Sequence, residues 1–275
     1  MVLYNNNSVN PSSMIDLARY PIADLSSDEG LHFANRCREE FLQSGLCELQ
    51  GFVQQVALDR LVAEARTVAD KAYFCRSSHN AYLTDESPND QDSSNAARNQ
   101  MERTVVGSVA YDDLPVNGLL VALYQWDPLM HFIGHVLGKN EFHRFADPLG
   151  ACSINVFTEG GLHGWHFDES EFTVTLMLQS PERGGDFEYV PKIRGLDAES
   201  EIVRDVLDGD RSKVVQLGFS PGTLLIFGGR ETIHRVTRVS GETPRLVPVL
   251  CYSETPDQVN SEHVRKLFWG RDVSR

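Results

Sequence analysis

Three things are scarce in this chain: positive charge, a cysteine framework and long apolar runs. Lysine and arginine number 25 against 39 acidic residues, a net charge of −14. So acidic a surface repels a phosphate backbone, which argues against DNA or RNA as a partner. The five cysteines, Cys37, Cys47, Cys75, Cys152 and Cys251, are odd in number and irregularly spaced. They imply no disulfide framework and suit a reducing compartment. No apolar run reaches the roughly 18 residues a membrane span requires. The start, Met1-Val2-Leu3-Tyr4-Asn5-Asn6-Asn7, has neither the basic region nor the apolar core of a secretion signal. A cytoplasmic protein with no membrane partner is expected.

What is present reads as globular. At 275 residues and 41% apolar, the chain can bury a sizeable core in one domain. No internal repeat is visible. Residues 1–25 read as a poorly ordered lead-in or a strand. From Asp28 to Gln43 the period is helical, with Leu31, Ala34, Cys37, Phe41 and Leu42 on one side. Leu49-Gln50-Gly51-Phe52 breaks it, and Val56 to Phe74 predicts a second helix. Residues 76–99 are polar, with Tyr82 and Leu83 the only large apolar groups, a composition suited either to a disordered loop or to a lid over a site. Leu119 to Leu137 predicts further helix, interrupted at Pro128. The rest is β, save a short acidic helix from Glu199 to Leu207. The expectation is an α+β fold: an N-terminal helical region, 1–100, continuous with a β core over 101–275.

The chemistry lies in His166-Phe167-Asp168, followed 66 residues beyond the aspartate by His234 and then by Arg245. Two imidazoles and a carboxylate can hold iron(II) on one face of its octahedron and leave three positions open. A basic residue about ten positions past the second histidine can clamp a dicarboxylic acid that chelates two of them. Together they predict an oxygenase that uses iron(II), 2-oxoglutarate and O2. With 9 histidines and 20 aspartates, about 0.65 His-x-Asp triplets arise by chance, so the setting must carry the weight. Residues 151–157 alternate as a strand, and the Gly160–Gly164 turn then delivers His166. Residues 172–178, 187–190, 223–227 and 232–236 read as further short strands punctuated by Pro-Gly and Gly-Gly turns. Ligands at the ends of adjacent short strands predict a double-stranded β-helix, or jelly roll, with a site in its mouth.

Longer strings carry a resemblance. Gly164-Trp165-His166-Phe167-Asp168, Phe172 to Gln179 and Gly184 to Pro191 resemble the radical halogenases of free lysine-like amino acids and their hydroxylase relatives. Ala110 to Pro115, Leu123 to Leu129, Ala146 to Gly150 and His234-Arg235-Val236 fit the same group, so the resemblance runs from about Arg103 to the C-terminus. In the halogenases a glycine stands where this chain has Asp168, and the vacated position admits chloride. With the carboxylate present, the resemblance implies a hydroxylase and disfavours a halogenase. It further implies that His163 and Trp269 help hold the substrate and that Glu169 meets a side-chain amine. A lysine- or ornithine-like substrate follows. Val249 and Cys251, however, stand about where lysine-binding members offer polar groups, which keeps an apolar or shorter amino acid open. Arg103 is a candidate for the substrate carboxylate, with Arg98 as its alternative.

Arg245 is the expected 2-oxoglutarate clamp, because arginine offers a carboxylate two parallel hydrogen bonds. Arg235 is adjacent to His234 and should face the other way, while Arg238 should sit at a strand end. Asn155 or Thr175 is the expected second partner of the cosubstrate. His131 and His135, four apart on a helix, lack a third ligand and read as packing residues. A non-catalytic jelly roll that binds metal or sugar is the remaining alternative, but it has no need of a dicarboxylate clamp. The expected partner is a small amino acid, with a homodimer left open.

Overall fold

The computed structural model describes residues 10–83 and 100–274. Residues 10–25 are not loose: Met14, Ile15, Tyr20 and Ile22 are buried, and Ile15 bridges Val53. Helix α1 (Asp28–Ser44) starts where the Ser27 hydroxyl accepts from the Gly30 N–H, and it stops at Gly45, whose φ of 77° favours a residue without Cβ. Its buried face is Gly30, Phe33, Ala34 and Cys37, whereas Leu31 and Leu42 are exposed. The predicted stripe was thus turned slightly around the helix. Strand β1 (Leu46–Leu49) and helix α2 (Gln55–Val68) follow.

The second helix ends at Val68, short of the predicted Phe74. Tyr73 to Asn80 instead form strand β2, paired antiparallel with β3 (Met101–Val109). Phe74 lies across Gly107, where a Cβ would come within 2.9 Å of its ring, so the aromatic residue finds its place in the sheet. The lid expected over 76–99 therefore begins as a sheet strand, and 84–99 lie outside the described residues. Pro128 does split the next helical stretch, into α3 (Leu119–Tyr124) and α4 (Asp127–Leu137).

The remaining strands are β4 (His143–Arg144), β5 (Cys152–Phe157), β6 (Leu162–His166), β7 (Thr173–Leu176) and β8 (Phe187–Val190). After α5 (Glu199–Leu207) come β9 (Val215–Leu217), β10 (Leu224–Phe227), β11 (Ile233–Val236), β12 (Arg245–Leu250) and β13 (Tyr252–Ser253). Helix α6 (Glu262–Trp269), unforeseen from the sequence, ends the described chain. The main sheet runs β1-β10-β7-β12-β5-β3-β6-β11-β8-β9, with β2 on β3 and each described pairing antiparallel. It curls so that β5, β7 and β12 face β6 and β11 across one cavity. That is the jelly-roll core of an α+β fold. One apolar cluster unites α1, α2 and α4 with the back of this sheet, through Phe33, Leu61, Phe132, Val174, Ile226 and Leu246. Among the described residues no helix is long and apolar enough to cross a membrane.

Candidate metal centre

Adjacent strands β6 and β11 set His166 directly opposite His234. The Nδ1 of each ring lies against a backbone carbonyl two residues back, Gly164 at 2.8 Å and Thr232 at 2.9 Å. A ring that donates from Nδ1 leaves the Nε2 lone pair free for a metal. Just past β6, Asp168 brings Oδ1 to 3.3 Å from His166 Nε2 and 3.5 Å from His234 Nε2. Its Oδ2 accepts from the Thr173 hydroxyl at 2.6 Å, and its N–H donates to the Gly229 carbonyl at 3.0 Å. Gly229 has a specific use here, since a Cβ there would stand 2.0 Å from Asp168 Oδ2. Ligand atoms of the three residues all lie within 4.8 Å of one another, the one such metal-competent group among the described residues. His131 and His135 belong to no such group, and His135 Nε2 meets Asn35 Oδ1 at 2.8 Å.

The electrostatics prepare this group for a cation. Burial, with neighbouring His234, holds His166 below the usual imidazole range against the pull of Asp168. Burial alone would raise Asp168, but the two facing imidazoles outweigh it and hold the carboxyl well below its ordinary value. Two imidazoles with their Nε2 atoms turned to an ionised carboxylate form a donor set that suits a divalent metal.

Arg245 opens β12 opposite Phe157, with its guanidinium between the rings of Phe157 (5.3 Å) and Phe219 (5.8 Å). It is 2% exposed, and its buried Nε has no partner among the described residues. Burial lowers its pKa to about 10 despite the opposing influence of Asp186. A buried cation without a carboxylate is costly, so the site fits an anionic ligand. The competing arginines are engaged elsewhere: Arg235 pairs with Glu188 at 2.6 Å and lies over Trp165, and the exposed Arg238 donates to the Gly160 carbonyl. The Thr175 hydroxyl, also buried and unpaired, lines the same cavity as Arg245. Asn155 lines it too, with Oδ1 accepting from the Ser108 hydroxyl at 3.1 Å.

That cavity, about 730 Å³, joins the histidines, Asp168 and Arg245 to a further wall. His163 stacks on His166 with ring centroids 3.8 Å apart. Trp269 reaches the cavity from α6 with its Nε1 buried and unpaired. Glu169 lies at the rim, exposed, its carbonyl accepting from Arg230. Arg103 is not brought in. It is exposed on β3, whereas its neighbour Thr104 lines the cavity, as strand alternation requires. Arg98 lies outside the described residues. His79, which sequence reasoning missed, meets both His163 and His166 edge-on at 5.7 Å and bonds Thr104 Oγ1 at 2.7 Å. The alternation Cys75, Ser77, His79 was the available signal, hidden inside a segment read as loop.

Helix α6 is tied down at both ends. Asp147 is wholly buried and accepts from the N–H groups of Leu149, Gly150 and Asn260 and from Arg265 Nε. Past the helix, Arg271 pairs with Asp112 and Asp113.

Residues 31–267 match the family described as Halogenase D. The chain belongs to that family. No curated protein matches the sequence. Among solved structures it is similar to the non-heme alpha ketoglutarate dependent epimerase SnoN of nogalamycin biosynthesis, with 16% identity and a TM-score of 0.56 over 81% of this chain and 83% of SnoN. AviO1 from Streptomyces viridochromogenes Tue57 gives 16% and 0.55 over 83% of this chain and 97% of AviO1. HygX from Streptomyces hygroscopicus, solved with nickel, 2-oxoglutarate and hygromycin B, gives 14% and 0.52 over 80% and 87%. At such identities the likeness shows the shared fold.

Proposed function

We propose that this protein is an iron(II)- and 2-oxoglutarate-dependent hydroxylase of a free amino acid. The observation that carries the reading is Asp168: its Oδ1 stands within 3.5 Å of both histidine Nε2 atoms. The chain's own carboxylate thus occupies the third protein position, where a halogenase would need room for a halide. Hydroxylation is favoured although the family bears a halogenase name. Iron and 2-oxoglutarate, when bound, use O2 to oxidise an unactivated C–H bond and yield succinate and carbon dioxide.

The chain's residues divide the remaining work. His166, Asp168 and His234 hold the metal, and the carbonyls of Gly164 and Thr232 fix the two rings. Arg245 meets the distal carboxylate of 2-oxoglutarate, with Thr175 and Asn155 as neutral partners. That unpaired arginine also speaks against a mere metal- or sugar-binding jelly roll. His163 and Trp269 face the cavity with groups suited to a carboxylate. The lysine- or ornithine-like side chain rests on Glu169 alone, and an exposed rim carboxylate supports it weakly.

Incubation with iron(II), 2-oxoglutarate, ascorbate, chloride and a panel of free amino acids tests it. Succinate release with a 16-dalton gain on one amino acid is expected. A chlorinated product would overturn the hydroxylase assignment, and succinate released with no amino acid modified would overturn the substrate.

A further inference from the structure

We infer that the side-chain end of the substrate pocket accepts an uncharged, largely apolar side chain and excludes an ammonium group. The inference rests on the amino-acid hydroxylase reading and names the substrate class within it. Strand β12 leads from Arg245, at the cosubstrate end, towards the metal ligands. Val249 pairs with Thr175 on β7, and antiparallel register then puts Cys251 level with Thr173. Thr173 is the residue whose hydroxyl donates to Asp168. Burial, aided by Asp147 and Asp168, pushes the Cys251 thiol up to about 12, in keeping with a place near that carboxylate.

Val249 and Cys251 line the cavity together with Phe145, whose N–H donates to the Cys251 carbonyl, and with Phe172, which adjoins Thr173. Among the described residues, this wall has no negative charge. Among the described residues lining the cavity, the carboxylates are Asp168, assigned to the metal, and Glu169, which stands in water at the rim. Asp147, the other acid close enough to influence Cys251, already has four donors, one of them the paired Arg265. Three buried polar atoms remain unpaired nearby, and none is an anion: Thr175 Oγ1, set beside Val249, belongs to a hydroxyl. Trp269 Nε1 can only donate, and burial keeps the Tyr252 phenol neutral.

An ammonium that leaves water needs a paired charge, and it would find none along this wall. Methyl and methylene groups gain from the same surroundings by leaving water. The chemistry therefore fits an aliphatic or thioether amino acid such as leucine, norleucine or methionine.

Equilibrium titration calorimetry under anaerobic conditions tests this on protein loaded with iron(II) and 2-oxoglutarate. Leucine, norleucine or methionine should bind roughly tenfold or more tightly than lysine and ornithine, because the cation is left unpaired. Lysine or ornithine binding as well as the neutral set would overturn the inference while leaving the amino-acid reading intact. No binding by any amino acid, with 2-oxoglutarate still bound, would overturn both. Val249→Asp, which adds a carboxylate to this wall, should narrow or reverse the preference. The wild-type order in that variant would overturn the assignment of the wall.

Discussion

On the proposed reading, Arg245 is a burden to the empty fold and an asset to the loaded one. A buried guanidinium without a hydrogen-bonded anion destabilises the protein, whereas a charge-assisted bond to a carboxylate contributes roughly 1.5–3 kcal/mol. Arg245→Met should therefore weaken 2-oxoglutarate binding by about one to two orders of magnitude. The same change should raise the melting temperature of the cofactor-free protein, since an apolar chain suits the space between Phe157 and Phe219. Arg245→Lys should recover only part of the binding, because an ammonium lacks the planar fork. Calorimetric titration with 2-oxoglutarate beside thermal melts reads both effects. Unchanged affinity in the methionine variant would remove Arg245 from the cosubstrate site.

At the level of elements, the Gly228-Gly229 break between β10 and β11 decides whether Asp168 can stand beside the histidines. Gly229→Ala would place a methyl group 2.0 Å from Asp168 Oδ2, so the carboxylate or the turn must move. Metal affinity should fall by about tenfold or more, a typical cost of disturbing what supports a ligand. Gly218→Ala meets nothing within 4 Å and should leave affinity unchanged. Titration of both variants with iron(II) or cobalt(II) separates them, and equal affinities would deny the turn this role. The sequence was legible where pattern and chemistry coincided. His166, Asp168, His234 and Arg245 sit at strand ends marked by glycine turns, and the short strands around them were visible from their branched residues. It was illegible where contacts are distant. Strand β2 is mostly polar and becomes a strand by pairing with β3, so His79 stayed hidden in a supposed lid. Helix α6 is short and none of its residues is fully buried, so little in its composition announced a cavity wall. Arg103 lies outside the cavity for a simpler reason: on a strand its side chain faces away from that of Thr104.

For the whole molecule, the metal centre makes stability depend on acidity. Burial lowers the folded-state pKa of His163 and His166, and the facing imidazoles lower that of Asp168. In each case the unfolded chain takes up protons before the folded one does. Stability is then fully present above the unfolded imidazole value of about 6.5 and declines as pH falls, by up to about 1.4 kcal/mol per pH unit for each buried histidine. The metal-free protein should melt several degrees lower at pH 5 than at pH 7, as a calorimetric scan series would show. Iron(II) should add stabilisation at pH 7 and progressively less on acidification, because protonated imidazoles cannot ligate. A melting temperature flat from pH 7 to pH 5 would contradict burial of these rings in neutral form. The pairing of β1 with β10 bears on how the molecule is made. Leu46 meets Phe227 and Leu49 meets Leu224, so a strand synthesised early waits for one synthesised late. At 5–20 residues per second, β1 stays without its neighbour for roughly ten seconds or longer on the ribosome. Closure of that sheet edge belongs among the last events of folding, and until then an apolar strand is free to find the wrong partner.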